Sequence, residues 1–387
     1  MSEDISLAEL CKRQGGEYID LCYATNHPGM VNETFESAQL VRVDGMLVYC
    51  GVARDVHIFG STYIYSKDPS AVVFRGQTQQ SLPERGRLKE NFAQHIQTRS
   101  DLFSAYMPDE CIFIGGTWTT TTDEAPNFGH LIYEFLVRLA IFDIAGVLRR
   151  DMPGVVYDNM PLRWLGFFEL AGIPIARLIK VSVKTPPAYR KVWIASCPNT
   201  RDSLLNPRLW PAGLHWLRSR FLANAGHSKA PSPKRIYLGR GAAKWHRVQN
   251  ESAVIDCLAR YGFQSLEMSD MSAAEQVQAV RGAEIIIYAT GATGVMTLFA
   301  PEHCIVIHAA PRGVGEGIWA APASALVLRQ AIDRIDCEAV ESEQRRNTMA
   351  GVNELADFKI DLEVLAARVE KAEAWIRDRQ IRDALAI

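Results

Sequence analysis

The clearest pattern of hydrophobic and polar positions lies in residues 233–310, where short apolar β-type runs alternate with amphipathic helical segments. Apolar residues recur at helical spacing after Asn250, which offers an N-cap, and Gly262 stands where this helix would end. Ser272 and Glu275 form the capping box of a second helix. Strands and helices that alternate at this spacing predict a parallel sheet with right-handed crossovers, and therefore a Rossmann-like domain.

The earlier part of the chain follows two other patterns. Short β-rich runs separated by turn residues predict an antiparallel sheet within residues 38–110, and strand–helix alternation begins at Cys111. The aperiodic segment HSKAPSPKR then places a domain boundary near residue 230. We therefore predict three parts: an N-terminal domain (1–230, with α/β structure over 111–230), a C-terminal Rossmann-like domain (231–340), and terminal helices (341–387) that pack across the body.

The composition predicts a folded chain with no general attraction to polyanions. Hydrophobic residues make up 48% of the sequence, which excludes a disordered chain. The 42 Lys and Arg residues balance 44 Asp and Glu, so neither nucleic acid nor an anionic membrane is an expected partner. The eight cysteines show no metal-ligand spacing, and the acidic N-terminus and the lack of a long apolar run do not resemble a secretory signal or a transmembrane segment. We expect reduced thiols and a cytoplasmic protein.

The first cluster of candidate chemistry is basic and spans a strand, a glycine-containing loop and a helix start. Its members are Lys234, Arg235, Arg240, Lys244 and Arg247. The loop after a parallel strand is where such sheets bind ligands, and the N-terminus of the next helix adds positive potential. The cluster fits a phosphate-bearing ligand, and it fits a solvated basic loop equally well.

The second cluster is a strand-to-helix turn with a helix expected to start at about Val295. It consists of Thr290, Gly291, Ala292, Thr293 and Gly294. Its backbone N–H groups and hydroxyls favour a cradle for phosphate or ribose, although a tight turn that needs glycine explains the same residues. The later glycines at 313, 315 and 317 open no visible helix, which disfavours a nicotinamide enzyme.

The third cluster is a polar stripe on an otherwise apolar helix. His130, Glu134 and Arg138 lie at i, i+4 and i+8. A carboxylate beside a histidine fixes its tautomer and favours general-base catalysis, whereas a structural Glu134–Arg138 pair is the alternative. No H-E-x-x-H, G-x-S-x-G or D-x-D motif occurs, so neither a metalloprotease, nor a serine hydrolase, nor a divalent-cation site is indicated.

Taken in order, these clusters resemble glycosyltransferase family 61 over about residues 111–309. The matching features are Asn127, His130 and Glu134; Arg240 after RIYLG; Arg247, Asn250 and Glu251; Glu275 and Gln276; Ala283 and Glu284; and Phe299 to Pro301. The resemblance implies an α/β protein of the GT-B fold, in which two Rossmann-like domains face a cleft. It also implies inverting transfer without a required metal, from a nucleotide-sugar to a saccharide or glycan acceptor.

The resemblance further implies which residues carry the reaction. His130 is the expected general base, with Glu134 as its orienter or as the base itself. The expected donor-binding residues are Arg240, Lys244, Arg247, Asn250, Glu251, Gln276, Thr290, Gly291, Ala292, Thr293 and Gly294. The expected donor is a UDP-sugar, used in polysaccharide or surface-glycan biosynthesis, with the N-terminal domain on the acceptor side.

One departure from the family pattern keeps a second hypothesis open. Family members usually carry a His-Gly-Ala run where this chain has Thr290, Gly291 and Ala292. If the missing histidine contacts the donor phosphate or sugar, the expected consequence is a different donor, weaker donor binding or loss of activity. The alternative hypothesis is therefore a non-catalytic nucleotide-binding or scaffolding relative in a glycan-assembly complex.

Overall fold

The structure, a computed structural model, divides into two compact units. Unit 1 comprises Met1–Pro28 and Val43–Asn224, and unit 2 comprises Gly29–Arg42 and Ala225–Ile387. The residues described are 3–21, 30–33, 38–41, 48–59, 63–67, 71–74, 106–107, 110–115, 128–182, 185, 187–196, 200–201, 207–208, 210–226, 232–241, 247–311, 325, 327–340 and 356–385.

The strands and helices are numbered in chain order. The strands are β1 (Glu3–Ile5), β2 (Tyr18–Asp20), β3 (Met30–Glu33), β4 (Ala38–Val41), β5 (Tyr49–Phe59), β6 (Tyr63–Ser66), β7 (Ala71–Phe74), β8 (Tyr106–Met107), β9 (Cys111–Gly115), β10 (Gly154–Tyr157), β11 (Leu178–Val181), β12 (Ala188–Ala195), β13 (Thr200–Arg201), β14 (Pro207–Arg208), β15 (Arg235–Leu238), β16 (Gln264–Leu266), β17 (Ile285–Ala289), β18 (Ile305–Pro311), β19 (Ala331–Val340) and β20 (Asp357–Lys359).

Seven helices accompany these strands in the described part of the chain, and the last of them follows the final strand. They are α1 (Leu7–Arg13), α2 (128–144), α3 (Leu165–Leu170), α4 (Pro211–Asn224), α5 (Glu251–Ala259), α6 (Ala273–Val280) and α7 (Leu362–Leu385). Helix α2 consists of α-helical Phe128–His130 and Val137–Ile144 with π-helical Leu131–Leu136 between them. Short 3₁₀ helices occupy Leu162–Trp164, Ile175–Arg177, Met268–Asp270 and Ala292–Phe299. None of the described helices is long and apolar enough to span a membrane.

Unit 1 is built on one mixed sheet with the strand order β1-β7-β6-β5-β12-β9-β10-β11. In the same sheet β2 also pairs with β5, and β8 also pairs with β12. Strands β5, β6 and β7 are antiparallel, as predicted. Strands β12, β9, β10 and β11 are parallel. Because β5 pairs antiparallel with β12 along most of its length, the β-rich region and the α/β region form a single sheet.

Helix α2 lies inside unit 1 and links the parallel strands β9 and β10. Strands β9 and β10 are buried throughout, which is typical of parallel strands covered on both faces. The helix is itself buried from Leu131 to Phe142, and the ring of Phe113 on β9 makes edge contacts with Tyr157 and Tyr189. Helix α2 thus comes after the carboxyl end of β9 in the chain, and from Leu131 onward it is part of the core.

Unit 2 contains the parallel sheet that the periodicity predicts. Its strand order is β16-β15-β17-β18-β19-β20, and all neighbours are parallel except β19 and β20. The helix that ends before Gly262 is confirmed, with Gly262 at φ +73°. The capping box of Ser272 and Glu275 is confirmed as well. When strands β15 to β19 are numbered 1 to 5 in chain order, they lie side by side in the order 2-1-3-4-5, which is a doubly wound order.

Two features of unit 2 differ from the sequence-based expectation. Strand β4 pairs with β3 and belongs to unit 2, whereas its residues were expected in the antiparallel sheet of the first domain. Residues 341–387 were expected to be helical, but they include strand β20 before helix α7, which packs against α5 and the sheet of unit 2 through a buried stripe. That stripe is Leu365, Val369, Ala372 and Ile376. Its spacing of three to four residues is that of an amphipathic helix, which the alternating charges around it obscure.

A charged cluster stabilises one edge of the parallel strands of unit 1. Glu110, just before β9, accepts hydrogen bonds from Trp193 Nε1 at 2.6 Å and Arg149 Nη2 at 3.2 Å, and lies 2.9 Å from Lys191 Nζ. Partial desolvation alone would raise the pKa of Glu110. The hydrogen bonds from these three partners outweigh that effect and lower its pKa to about 2.

The lowered pKa predicts a pH-dependent contribution to stability. Since the usual pKa is 4.5, the stabilisation by Glu110 is complete above that pH and is lost as the pH falls towards 2. Glu110→Gln should cost about 1–2 kcal/mol near neutral pH, and its difference from the wild type should shrink below pH 4.5. Thermal unfolding between pH 7 and pH 3 measures this. Glu9→Gln, in an exposed helical pair with Arg13, is the control and should change little at any pH; a pH-independent loss in Glu110→Gln would contradict the assignment.

Candidate functional site

Two loops follow neighbouring strands at the point where the strand order of the unit 2 sheet reverses. Strand β15 is flanked by β16 on one side and by β17 on the other, so the chain leaves β15 in one direction and later returns past it. Open α/β sheets bind ligands outside the carboxyl ends of the strands at such a switch point. Here those carboxyl ends continue into residues 239–241 and 290–294. The switch point is therefore the candidate site of unit 2.

Arg240 and Gly291 join these two loops. Gly291 has φ +144°, a conformation that favours glycine, and a Cβ atom at this position would collide with the guanidinium of Arg240. The guanidinium therefore packs directly on the backbone of the second loop. Burial lowers the pKa of Arg240, while the nearby carboxylates of Glu251 and Glu267 act in the opposite direction. The switch point thus holds a largely buried positive charge.

The loop that carries Arg240 is wrapped around the carboxylate of Glu251, the first residue of α5. Oε1 of Glu251 accepts the backbone N–H of Arg240 at 2.6 Å and the hydroxyl of Tyr237 at 3.2 Å, and Oε2 accepts the N–H of Gly241 at 3.0 Å. A Cβ atom on Gly239 would lie 2.9 Å from Oε1, so this position has little room for a side chain. Burial, and then the Glu251 carboxylate, raise the pKa of Tyr237, which keeps its hydroxyl protonated as a donor.

The second loop contains two backbone N–H groups that donate hydrogen bonds and one buried hydroxyl. The N–H of Thr290 donates to the Ala309 carbonyl at 2.8 Å, and the N–H of Gly294 donates to the Gly291 carbonyl at 3.2 Å. The oxygen Oγ1 of Thr293 is buried without a hydrogen-bond partner in the part of the chain that the structure describes. A Cβ atom on Gly294 would lie 2.5 Å from the ring of Tyr288, so packing demands glycine there.

The helix after this loop differs from the prediction. It is a 3₁₀ helix over Ala292–Phe299, and it begins three residues before the expected start at Val295. Its first N–H groups, on Ala292 and Thr293, have no intrahelical acceptor because they lie in the first turn. Both residues follow Gly291, on which the guanidinium of Arg240 packs.

Arg247 and Asn250 have their side chains engaged elsewhere in unit 2. Arg247 donates through Nε and Nη2 to Asp357 Oδ2 at 3.0 and 2.7 Å, and its N–H donates to Oδ1 at 3.0 Å. Asn250 holds the N-cap position of α5, but its side chain does not cap the helix. It donates to the Ile360 carbonyl at 2.8 Å and accepts the Ile360 N–H at 3.0 Å. Both residues therefore join the start of α5 to strand β20 and to the residue that follows this strand.

Two further predicted donor-binding residues have other placements. Gln276 is buried on α6 and donates to the Met271 carbonyl at 3.1 Å. Lys244 lies outside the described residues, as does Asn127 of the third cluster. Of the predicted set, the structure thus brings together Arg240, Glu251 and the turn from Thr290 to Gly294.

His130 and Glu134 form a close pair on α2 in unit 1. Nδ1 of His130 lies 2.6 Å from Oε1 of Glu134, and the two side chains are 14% and 5% exposed. An ionised carboxylate only accepts hydrogen bonds, so it holds the proton on Nδ1 and leaves the lone pair on Nε2. The pair lies where α-helix gives way to the π-helical turn, a deviation that is frequent at functional sites.

The structural alternative, an ion pair between Glu134 and Arg138, is not formed. Arg138 is buried, donates through Nη1 to the Ile114 carbonyl at 2.9 Å, and lies over the ring of Phe135 at 4.8 Å from its centroid. It therefore fastens α2 to the end of β9, while Glu134 bonds to the histidine. Nor is any group of three or more His, Cys, Asp or Glu side chains arranged to hold a metal ion within the described ranges.

Sequence reasoning missed two supporting residues. Tyr237 is an ordinary apolar member of a strand in the sequence, and only the fold shows that its hydroxyl reaches Glu251. Asp357 lies 110 residues after Arg247, and no local pattern connects them. The apolar run Ile236–Leu238 predicts a buried strand, but it gives no sign of the hydroxyl contact.

Comparison with known proteins supplies the family. Residues 128–307 match the family model described as Glycosyltransferase 61. The matched segment begins at the helix that carries His130 and includes both loops of the switch point. No curated protein matches the chain.

The pairing of Arg247 with Asp357 predicts a structural role that does not need a ligand. Asp357 is only 1% exposed, whereas its partner Arg247 is 54% exposed, so Asp357→Asn removes the charge from a buried acceptor and should lower the Tm by about 5 °C. The matched control is Asp336→Asn, because Asp336 also meets an arginine at 2.7 Å but is 45% exposed. The control should change the Tm by no more than about 2 °C. An equal decrease of the Tm in the two variants would contradict a greater structural role for the Asp357 contact.

Proposed function

The chain belongs to glycosyltransferase family 61 and is a glycosyltransferase that acts on glycans, and from this premise we propose that it transfers a sugar from a UDP-sugar to a hydroxyl group of a saccharide or glycan acceptor, with inversion and without a metal ion. We include in the proposal a GT-B architecture, in which unit 2 binds the donor and unit 1 the acceptor. The role is the synthesis of a polysaccharide or surface glycan.

The observation that carries the donor assignment is the packing of Arg240 on Gly291 at the switch point of the unit 2 sheet. A leaving diphosphate gains negative charge as the bond to the sugar breaks, and a buried guanidinium stabilises that charge more strongly than one in water. Its planar donors suit phosphate oxygens in a bidentate contact. The Thr293 hydroxyl and the first N–H groups of the 3₁₀ helix add donors beside it. This arrangement supports a diphosphate ligand that requires no metal.

The pair of His130 and Glu134 supports the assignment of the base. In an inverting displacement, the acceptor oxygen forms a bond to the anomeric carbon while the bond from that carbon to the diphosphate oxygen breaks. The leaving diphosphate keeps the bonding electrons, and the acceptor proton passes to Nε2 of His130. Glu134, held against Nδ1 at 2.6 Å, stabilises the imidazolium that forms. In this proposal His130 is catalytic and Glu134 is a positioning residue.

We also propose that the protein acts in the cytoplasm. The cysteines in the described part of the chain are buried and form no disulfide with one another; they are Cys11, Cys50, Cys111, Cys257, Cys304 and Cys337. Free thiols are typical of a reducing compartment, which supports a cytoplasmic location.

The donor assignment predicts different effects for two glycines with positive φ. Gly291→Ala and Gly262→Ala should each cost about 1 kcal/mol of stability, because both positions favour glycine. Only Gly291→Ala displaces the guanidinium of Arg240, so it alone should weaken UDP binding, by about tenfold or more. Titration of UDP in the presence of EDTA measures both variants, with Arg240→Ala as the reference for complete loss. Unchanged UDP affinity in Gly291→Ala and Arg240→Ala would refute the site.

The base assignment predicts loss of turnover with binding retained. His130→Ala should lower kcat by about 10²- to 10⁴-fold and leave UDP affinity unchanged, since the imidazole acts only on the acceptor proton. Glu134→Gln should cause a smaller loss, because the amide still accepts from Nδ1 but carries no charge. His215→Ala, at an exposed position on α4, is the control. If the wild type binds UDP but transfers no sugar above the His130→Ala level, the non-catalytic alternative suggested by Thr290 is favoured instead.

A further inference from the structure

In many open α/β proteins, the loop after the first strand and the N-terminus of the next helix form the anion site. In this chain that position already contains an anion. The carboxylate of Glu251 accepts two successive backbone N–H groups of the loop, from Arg240 at 2.6 Å and Gly241 at 3.0 Å. These are the groups that would otherwise bind phosphate oxygens.

The carboxylate is difficult for an external phosphate to displace. It is covalently attached to α5, so its local concentration at the loop is far above that of any free ligand. It also accepts the Tyr237 hydroxyl, which belongs to a buried strand and has a fixed position. The amides of 240 and 241 are therefore committed to Glu251, and the donor needs other groups.

The same contacts determine where Arg240 points. Gly239 approaches Glu251 closely, and a Cβ atom on Gly241 would collide with the carboxylate of Glu267. The loop is thus confined between two carboxylates, with its backbone fixed on one of them. From this backbone the guanidinium extends onto Gly291 of the neighbouring loop.

We propose that Glu251 is an internal anion that replaces a ligand phosphate in the first loop and positions Arg240 for the diphosphate of the donor. Glu251 is then a positioning residue and makes no contact with the donor. The proposal rests on the proposed function for the identity of the ligand, but the occupancy of the anion position by Glu251 does not depend on it.

The test uses chemical rescue of the cavity that Glu251→Ala leaves. Formate provides a carboxylate of the right size for the two N–H groups, so it should raise the Tm of Glu251→Ala above that in chloride at equal ionic strength. It should not do so for the wild type. Glu251→Ala should bind UDP at least about tenfold more weakly, with kcat at saturating donor changed much less, and formate should restore most of the affinity. Glu251→Asp, which keeps the charge, is measured in parallel in case the alanine variant does not fold, and should retain more UDP affinity than Glu251→Gln.

The matched control is Glu275→Ala. Glu275 also lies in the first turn of a helix of unit 2, and its carboxylate accepts the N–H of Ser272 at 2.8 Å. Its removal should lower stability without changing UDP affinity or the response to formate.

The outcomes separate the inference from the function on which it rests. Formate-dependent stabilisation of Glu251→Ala, in a wild type that binds none of UDP, GDP, CMP and dTDP, supports the internal anion and overturns the donor assignment. Wild-type UDP affinity in Glu251→Ala overturns the positioning role. Tighter UDP binding in that variant also overturns it, because Glu251 would then compete with the donor phosphate.

Discussion

The cost of holding a charged guanidinium in a largely buried position governs the organisation of unit 2. Arg240 follows the carboxyl end of β15, where burial disfavours its positive charge and the nearby carboxylates of Glu251 and Glu267 favour it. Glu251 in turn needs donors, and it finds them in two backbone N–H groups and the Tyr237 hydroxyl. A glycine at 291 then provides the surface on which the guanidinium packs. The loop, the strand and the helix start thus depend on one electrostatic arrangement.

Unit 1 solves a similar problem with different chemistry. Glu134 is an almost fully buried acid on a helix that is apolar around it, and its partner is the imidazole of His130 at 2.6 Å. Arg138, one helical repeat further on, is directed to a strand carbonyl and an aromatic ring. Buried polar groups need partners, and the partner of each group determines its possible role. A carboxylate bonded to histidine is suited to proton transfer, whereas one bonded to arginine would mainly fasten the helix.

Local patterns predicted those parts of the fold that are determined by neighbouring residues. The strands of unit 2, the end of α5 at Gly262 and the capping box of α6 depend on contacts within a few positions, so the sequence displays them. The pairing of β5 with β12, the union of β3 and β4 with unit 2, and the contact of Arg247 with Asp357 join distant residues. Nothing in the local periodicity encodes them. For the same reason the sequence indicated which residue types occupy the two loops of the switch point, while the bonding of Arg247 and Asn250 to residues 357–360 could not be predicted.

The attachment of β20 to residues 247–250 has a consequence for the order in which the protein matures. Phe358 exchanges backbone hydrogen bonds with Arg247 and Gln249, and Asp357 and Ile360 bind the side chains of Arg247 and Asn250. The start of α5, from which Glu251 reaches the first loop, is thus fixed by residues made more than a hundred positions later in translation. During synthesis the parallel strands emerge first and the loop gains its final support last. The nascent chain therefore acquires the complete geometry around Arg240 only after the segment of β20 has left the ribosome.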